Sequence, residues 1–367
     1  MKIKYIVCIA IIIAFCNKTH AQKPFDIGVL QDYGFVIKHS VKIGHLQTRP
    51  LATTLYFNKY HLGNETWMKK FNHPKTSFAL TYFDFRNDVI GKTIALTSNF
   101  LFPLYKKKKS NAELKIGTGL VYSTNPFDIQ NNFTNNVLSN RWSYVMQMGW
   151  FWNYMIDKNW QLKTALQLTH YSNGAYKLPN AGINIVTTSI GASYTFHPEK
   201  IIYTPATNTI FSRKWHLQTA LAGSLIEAEV NQPYKHQVIN VGIYVGKDLS
   251  QTHRLLGGVD ISWNDGIKYQ IEKKYADSSS RPDYRRMSIV IGDEISFGKM
   301  SFNIQLGIYV YKQFTAIADM PFYQRYGLKY YWHKNVWTGL FLKSHAATAE
   351  SAEFTIGGSF FKRKKQK

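Results

Sequence analysis

The stretch His170-Tyr171-Ser172-Asn173-Gly174 places a nucleophile, a base and hydrogen-bond donors within five residues. A serine hydroxyl attacks a carbonyl once a base removes its proton, and imidazole is the usual base for that step. Ser172 would attack an ester carbonyl. His170 would take the hydroxyl proton and later return it to the leaving alcohol. A third group must accept from the other imidazole N–H to fix the tautomer, and the side-chain oxygen of Asn184 can do so. Asn173, through its side chain or backbone N–H, and the Gly174 N–H are donors suited to a tetrahedral oxyanion. Together these residues describe acyl transfer, with neither metal nor cofactor. A His-x-Ser pair carries little weight by itself, so its setting has to supply the rest.

Side chains two apart on a strand point the same way, so His170 and Ser172 are neighbours on one face. Trp160, Leu162, Leu166 and Leu168 lead into that face, with Gln161, Lys163, Gln167 and Thr169 opposite. In a membrane barrel with a polar interior the apolar face meets lipid, where a His-Ser pair is costly unless it serves a purpose. The next strand has Asn184, Val186, Thr188, Ile190, Ala192, Tyr194 and Phe196 on its apolar face. Between them, residues 173–183 contain Gly174, Pro179, Asn180 and Gly182 and read as a turn. Folding 184–196 back beside 160–172 brings Asn184 near His170 and Ser172.

The same two-residue period runs through the chain. In 300–310, Met300, Phe302, Ile304, Leu306, Ile308 and Val310 alternate with Ser301, Asn303, Gln305, Gly307 and Tyr309. Candidate strands fall near 27–38, 48–58, 76–85, 89–104, 112–123, 141–156, 160–172, 184–196, 215–229, 235–248, 254–265, 284–298, 300–313, 322–333, 335–346 and 352–361. Many are long enough to cross a bilayer when tilted. No helical stripe is expected after the first twenty residues. Among 367 residues there are 24 Tyr, 23 Phe and 9 Trp, yet the mean hydropathy is only −0.26. No later run approaches the ~18 apolar residues of a spanning helix. This is the mixture of an all-β, antiparallel transmembrane barrel with aromatic girdles. Outward-facing apolar strands exclude a soluble all-β binding protein.

About sixteen strands split into two blocks of eight. Ser189-Ile190-Gly191-Ala192-Ser193-Tyr194 resembles Thr355-Ile356-Gly357-Gly358-Ser359-Phe360, and each stretch closes a block. The expected organisation is a block over 22–196 carrying the site, a connection over 197–214 with Pro198 and Pro205, and a second block over 215–361. The two blocks form either two barrels or one large closed sheet. Segment 267–283, with Lys268, Lys273, Lys274 and Arg281, reads as a headgroup-binding loop, and 362–367 as a basic tail. If the first strand starts in the periplasm, odd strands run outward. Strand 160–172 is seventh, so His170 and Ser172 lie at the outer leaflet.

Residues 1–21 read as a cleaved export signal: Lys2 and Lys4, an apolar run from Ile6 to Cys16, and Thr19-His20-Ala21 before Gln22. Both cysteines, Cys8 and Cys16, fall inside it, so the exported chain would use neither disulfides nor thiolate metal sites. Removing Lys2, Lys4 and Lys18 with it lowers the formal net charge from +23 to +20, and this excess then faces anionic lipid headgroups rather than nucleic acid.

The residues His170-Tyr171-Ser172-Asn173, Lys177, Pro179-Asn180 and Gly182-Ile183 resemble the active-site signature of the PagL-type lipid A 3-O-deacylases, also called acyloxyacyl hydrolases. The resemblance covers about fifteen contiguous residues at matching spacing. It implies an outer-membrane barrel whose lipid-facing surface carries a Ser-His-Glu triad that removes an ester-linked acyl chain from lipid A of lipopolysaccharide. Carried over, it makes Ser172 the nucleophile, His170 the base and Asn173 an oxyanion-hole residue. The family's Glu is Asn184 here, and the second block lacks the motif, since Ala347 stands two residues after His345. The expected function is therefore outer-membrane ester hydrolysis on lipid A or a related acylated lipid. The alternative is a non-catalytic barrel, a structural protein, pore or adhesin, that keeps the motif as a relic.

Overall fold

A computed structural model describes residues 23–204, 211, 213–277, 279–316, 319–346 and 348–361. The expected signal at 1–21 and the basic tail at 362–367 lie outside the described residues. Eight strands, β1 (Phe25–Val36), β2 (Leu51–Tyr60), β3 (Lys75–Asp84), β4 (Lys92–Lys106), β5 (Ser110–Ser123), β6 (Trp142–Met155), β7 (Trp160–Ser172) and β8 (Ile183–Phe196), pair antiparallel in chain order. β8 returns to β1, with Val36 opposite Ile185, and closes the sheet. A second set follows: β9 (Trp215–Ile226), β10 (His236–Asp248), β11 (His253–Asn264), β12 (Arg286–Phe297), β13 (Met300–Lys312), β14 (Phe322–His333), β15 (Val336–His345) and β16 (Thr348–Phe361). β16 closes on β9. Of the two arrangements open from sequence, the chain adopts two barrels.

Alternation decides which side chain faces where. On β6, Trp142, Tyr144, Met146, Met148, Trp150, Trp152 and Tyr154 stand exposed on the outside, while Ser143, Val145, Gln147, Phe151 and Asn153 are buried within. Outward rings cluster at the strand ends, as Phe25, Phe57 and Phe196 do at one end of the first barrel. This apolar belt with aromatic margins is the surface a bilayer requires.

The lumens are filled. In the first barrel, Lys75 Nζ lies 2.9 Å from Glu113 and 3.7 Å from Asp26, and Lys163 Nζ lies 3.8 Å from Asp26. Toward the end that carries Ser172, an apolar plug takes over. Ile43, Leu46, Phe85, Ile90, Val137 and Leu138 from three loops pack on Phe83, Tyr171 and Ile183. In the second barrel Arg325 joins Asp260 at 2.6 Å and Glu353 at 3.2 Å, and Lys329 joins Glu294 at 3.1 Å. A cavity of about 20 Å³ remains beside Asn240, Arg325 and Glu353, room for roughly one water.

Helices are the main departure from expectation. Besides the short α1 (Thr66–Lys70), a ten-residue helix α2 (Asp265–Lys274) occupies the start of the segment read as a loop over 267–283. Asn264 caps it by accepting from the N–H groups of Gly266 and Ile267 at 3.0 and 3.2 Å. Ile267 and Ile271, one turn apart, bury against Phe314. Only these two large apolar residues face inward, so the stripe is too narrow to show as a helical period. β16 also begins earlier than expected, because Ala346 turns the chain with φ +50° directly after β15.

Candidate active site

β7 and β8 place the central residues by register. His170 lies directly opposite Asn184 on β8, and Ser172 opposite Tyr144 on β6. His170 Nδ1 is 2.7 Å from Asn184 Oδ1. An amide oxygen only accepts, so the proton sits on Nδ1 and Nε2 keeps its lone pair. Asn184 Nδ2 points the other way and donates to His39 Nδ1 at 3.2 Å, and His39 Nε2 donates to Ala181 O at 3.1 Å. In the His39 tautomer with its proton on Nε2, the donors run from His170 through Asn184 and His39 to a backbone carbonyl, and Nδ1 also lies 3.4 Å from Ile37 O.

Ser172 is 7% exposed. Its Oγ accepts from Gly174 N–H at 3.2 Å and from Asn180 Nδ2 at 2.9 Å. Asn180 Oδ1 in turn accepts from Asn173 N–H at 3.2 Å. The Asn173 side chain turns into the loop, where Nδ2 donates to Ser139 Oγ and to Lys177 O, both at 2.8 Å. Thus His170 and Asn184 stand together, Gly174 N–H faces Ser172, and both donor groups of Asn173 are engaged elsewhere. Among the described residues no hydrogen bond joins Ser172 to His170, and no carboxylate reaches His170.

Two glycines make this packing feasible. Gly182 has φ +70°, and a Cβ there would come within 2.9 Å of His170 Cε1. Gly174 has φ +64°, and a Cβ there would meet the Cβ of Ala352 on β16 at 2.4 Å. The loop between β5 and β6 steadies the turn: Asn136 O and Val137 O accept from Ala181 and Gly182 N–H at 3.0 and 3.2 Å, and Ser139 Oγ donates to Lys177 O at 2.6 Å.

Sequence reasoning assigned no role to Asn180, His39 or Ser139. Asn180 sits inside the motif, eight residues from Ser172, and its amide was legible as a donor. His39 is far away in the chain and arrives only because β1 pairs with β8.

Two closed antiparallel barrels with an apolar outer belt, one of them carrying a serine and an oriented histidine on its wall, define the class of outer-membrane β-barrels. Residues 53–193 match the family model for lipid A 3-O-deacylase (PagL), and residues 214–363 match that for the acyloxyacyl hydrolase C-terminal domain. Between them the matches span most of the chain, and the chain belongs to this family. Among solved structures, it is similar to Neisserial surface protein A at 11% identity, over 48% of this chain and 100% of that one, with a TM-score of 0.33. The outer membrane enzyme PagL is similar at 14% identity, over 46% of this chain and 98% of that one, with a TM-score of 0.30. Among curated proteins none matches in sequence.

Proposed function

We propose that this protein is an outer-membrane serine esterase that removes an ester-linked acyl chain from lipid A of lipopolysaccharide or a related acylated lipid. The observation that carries the reading is the 2.7 Å bond from His170 Nδ1 to Asn184 Oδ1, which leaves Nε2 as an acceptor on the same strand face as Ser172. With two donors on its oxygen, the Ser172 hydroxyl is left to donate, and Nε2 is the base within the motif. Catalytic hydrogen bonds commonly tighten only when substrate arrives.

The reaction follows in balanced steps. Ser172 Oγ bonds to the ester carbonyl carbon as its proton passes to Nε2. Gly174 N–H and Asn180 Nδ2, beside the nucleophile, donate to the oxyanion that forms on that carbon. The ester C–O bond then breaks, and Nε2 returns the proton to the leaving alcohol. Water attacks the acyl-serine through the same base, releasing the fatty acid and restoring the hydroxyl. The acyl chain would lie against the exposed Leu166, Leu168 and Met148, one side of which is the bilayer itself.

Purified protein should convert lipopolysaccharide to a lipid A lighter by one acyl chain by mass spectrometry, and Ser172→Ala should not. Asn184 in place of the family's carboxylate favours a second reading, the non-catalytic relic barrel. Wild-type turnover no greater than that of Ser172→Ala across several acylated lipids would establish that reading instead.

A further inference from the structure

Contacts from the second barrel converge on residues 174–178, the segment directly after the nucleophile. Ala352 N–H on β16 donates to Gly174 O at 3.2 Å, and Glu227 N–H, just past β9, donates to Ala175 O at 3.0 Å. Leu178 N–H donates to Glu227 Oε2 at 2.6 Å. Glu227 Oε1 lies 2.6 Å from Lys235 Nζ. That ammonium also donates to Tyr176 O at 2.7 Å and stands 4.6 Å from the Tyr176 ring centre. Glu227 is only 5% exposed. A carboxylate removed from water persists where partners replace its solvation, and here one oxygen takes a backbone amide of the other barrel.

The place of contact is informative. At the opposite end of the barrels the contact is apolar, with Phe297 of β12 packed on Phe71, Phe100 and Phe102. Neighbours in a bilayer need nothing more. At the Ser172 end the contacts are polar and fall on the segment that shapes the serine's surroundings. Gly174 supplies an N–H to Ser172 Oγ, and Lys177 O holds the Asn173 amide.

We propose that the second barrel is a positioning element of the active site, acting through Glu227 and Lys235. This rests on the esterase reading. Glu227 clamps residues 174–178 so that the Gly174 N–H faces the reacting centre, and Lys235 neutralises Glu227 while tying down Tyr176. A family member with one barrel would have to hold this loop by other means.

The test uses the full chain in detergent micelles or nanodiscs, with Glu227→Ala, Glu227→Gln and Lys235→Met compared with wild type. Glu229→Gln, which loosens an exposed ion pair on the same loop, is the control. Misplacing a catalytic group by about 1 Å costs on the order of a hundredfold. Glu227→Ala is therefore expected to lower kcat by about ten- to a hundredfold with little change in KM, Glu227→Gln by less, and Glu229→Gln not at all. Hydrogen exchange of amides 175–178 should quicken in Glu227→Ala while that of 161–169 does not. Unchanged exchange and unchanged kcat would overturn the proposal. So would faster exchange with unchanged kcat, which would make the clamp irrelevant to catalysis. If Glu227→Ala fails to fold, judged by lost heat-modifiable migration, Glu227→Gln and Lys235→Met decide by the same criteria. A wild type without Ser172-dependent turnover would instead sink the esterase reading, and exchange alone would still show whether Glu227 holds the loop.

Discussion

Asn184 Nδ2 donates to His39 Nδ1 at 3.2 Å, and this bond decides which end of the Asn184 amide faces His170. A carboxylate at this position would present an acceptor whichever way it turned. An amide has one oxygen, so it needs a partner that holds the nitrogen away. His39 provides that partner from the far side of the barrel closure. His39→Phe should therefore lower the esterase rate by about tenfold, whereas His39→Gln, which can accept from Asn184 and donate to Ala181 O, should retain most of it. Kinetics on purified lipopolysaccharide would show this, and equal losses in both variants would contradict it.

Replacing Ser172 or His170, the proposed nucleophile and base, gives the simplest expectation. Ser172→Ala and His170→Ala should each reduce deacylation to background, a loss of at least about a thousandfold. Heat-modifiable migration on gels should be unaffected, because both side chains lie on the outer wall and no strand pairing depends on them.

Asn184→Glu restores a negative charge beside the imidazole and should raise the rate near neutral pH by about tenfold, because imidazolium formation is then compensated. Asn184→Ala should lower it by a comparable factor, since nothing would fix the tautomer. Steady-state rates for the three proteins decide the matter. Identical measurable rates would make Asn184 a bystander.

Combining the first and third changes isolates the reason for His39. In an Asn184→Glu background, His39→Phe should cost less than about twofold, because a carboxylate needs no orienting partner. A double-mutant cycle measures this coupling directly, and additive effects would remove the orienting role from His39.

Stability offers a test away from the site. Arg325 is buried and answers both Asp260 and Glu353 inside the second barrel. Arg325→Met leaves two carboxylates without their cation and should destabilise the second barrel by about 3–5 kcal/mol. Urea unfolding of the detergent-solubilised protein, followed by tryptophan fluorescence, would register it as a lower midpoint for one transition.

The sixteen strands were legible in the sequence because membrane barrels write themselves in period 2: each strand must offer lipid one face and the lumen the other. Register between neighbours was legible where a short turn joins them, so Asn184 could be set beside His170 from sequence alone. Helix α2 was not, because two buried isoleucines make too narrow a stripe beside the charged residues around them. Closure was not legible either. Alternation reads the same in one large sheet or two small ones, and only the pairing of β8 with β1 and of β16 with β9 distinguishes them. Everything that depends on closure stayed hidden with it. His39 reaches Asn184 across the β1–β8 seam, and Glu227 reaches Leu178 across the gap between barrels. Such contacts join residues with no shared local pattern, and their chemistry exists only once the chain has brought distant backbones together.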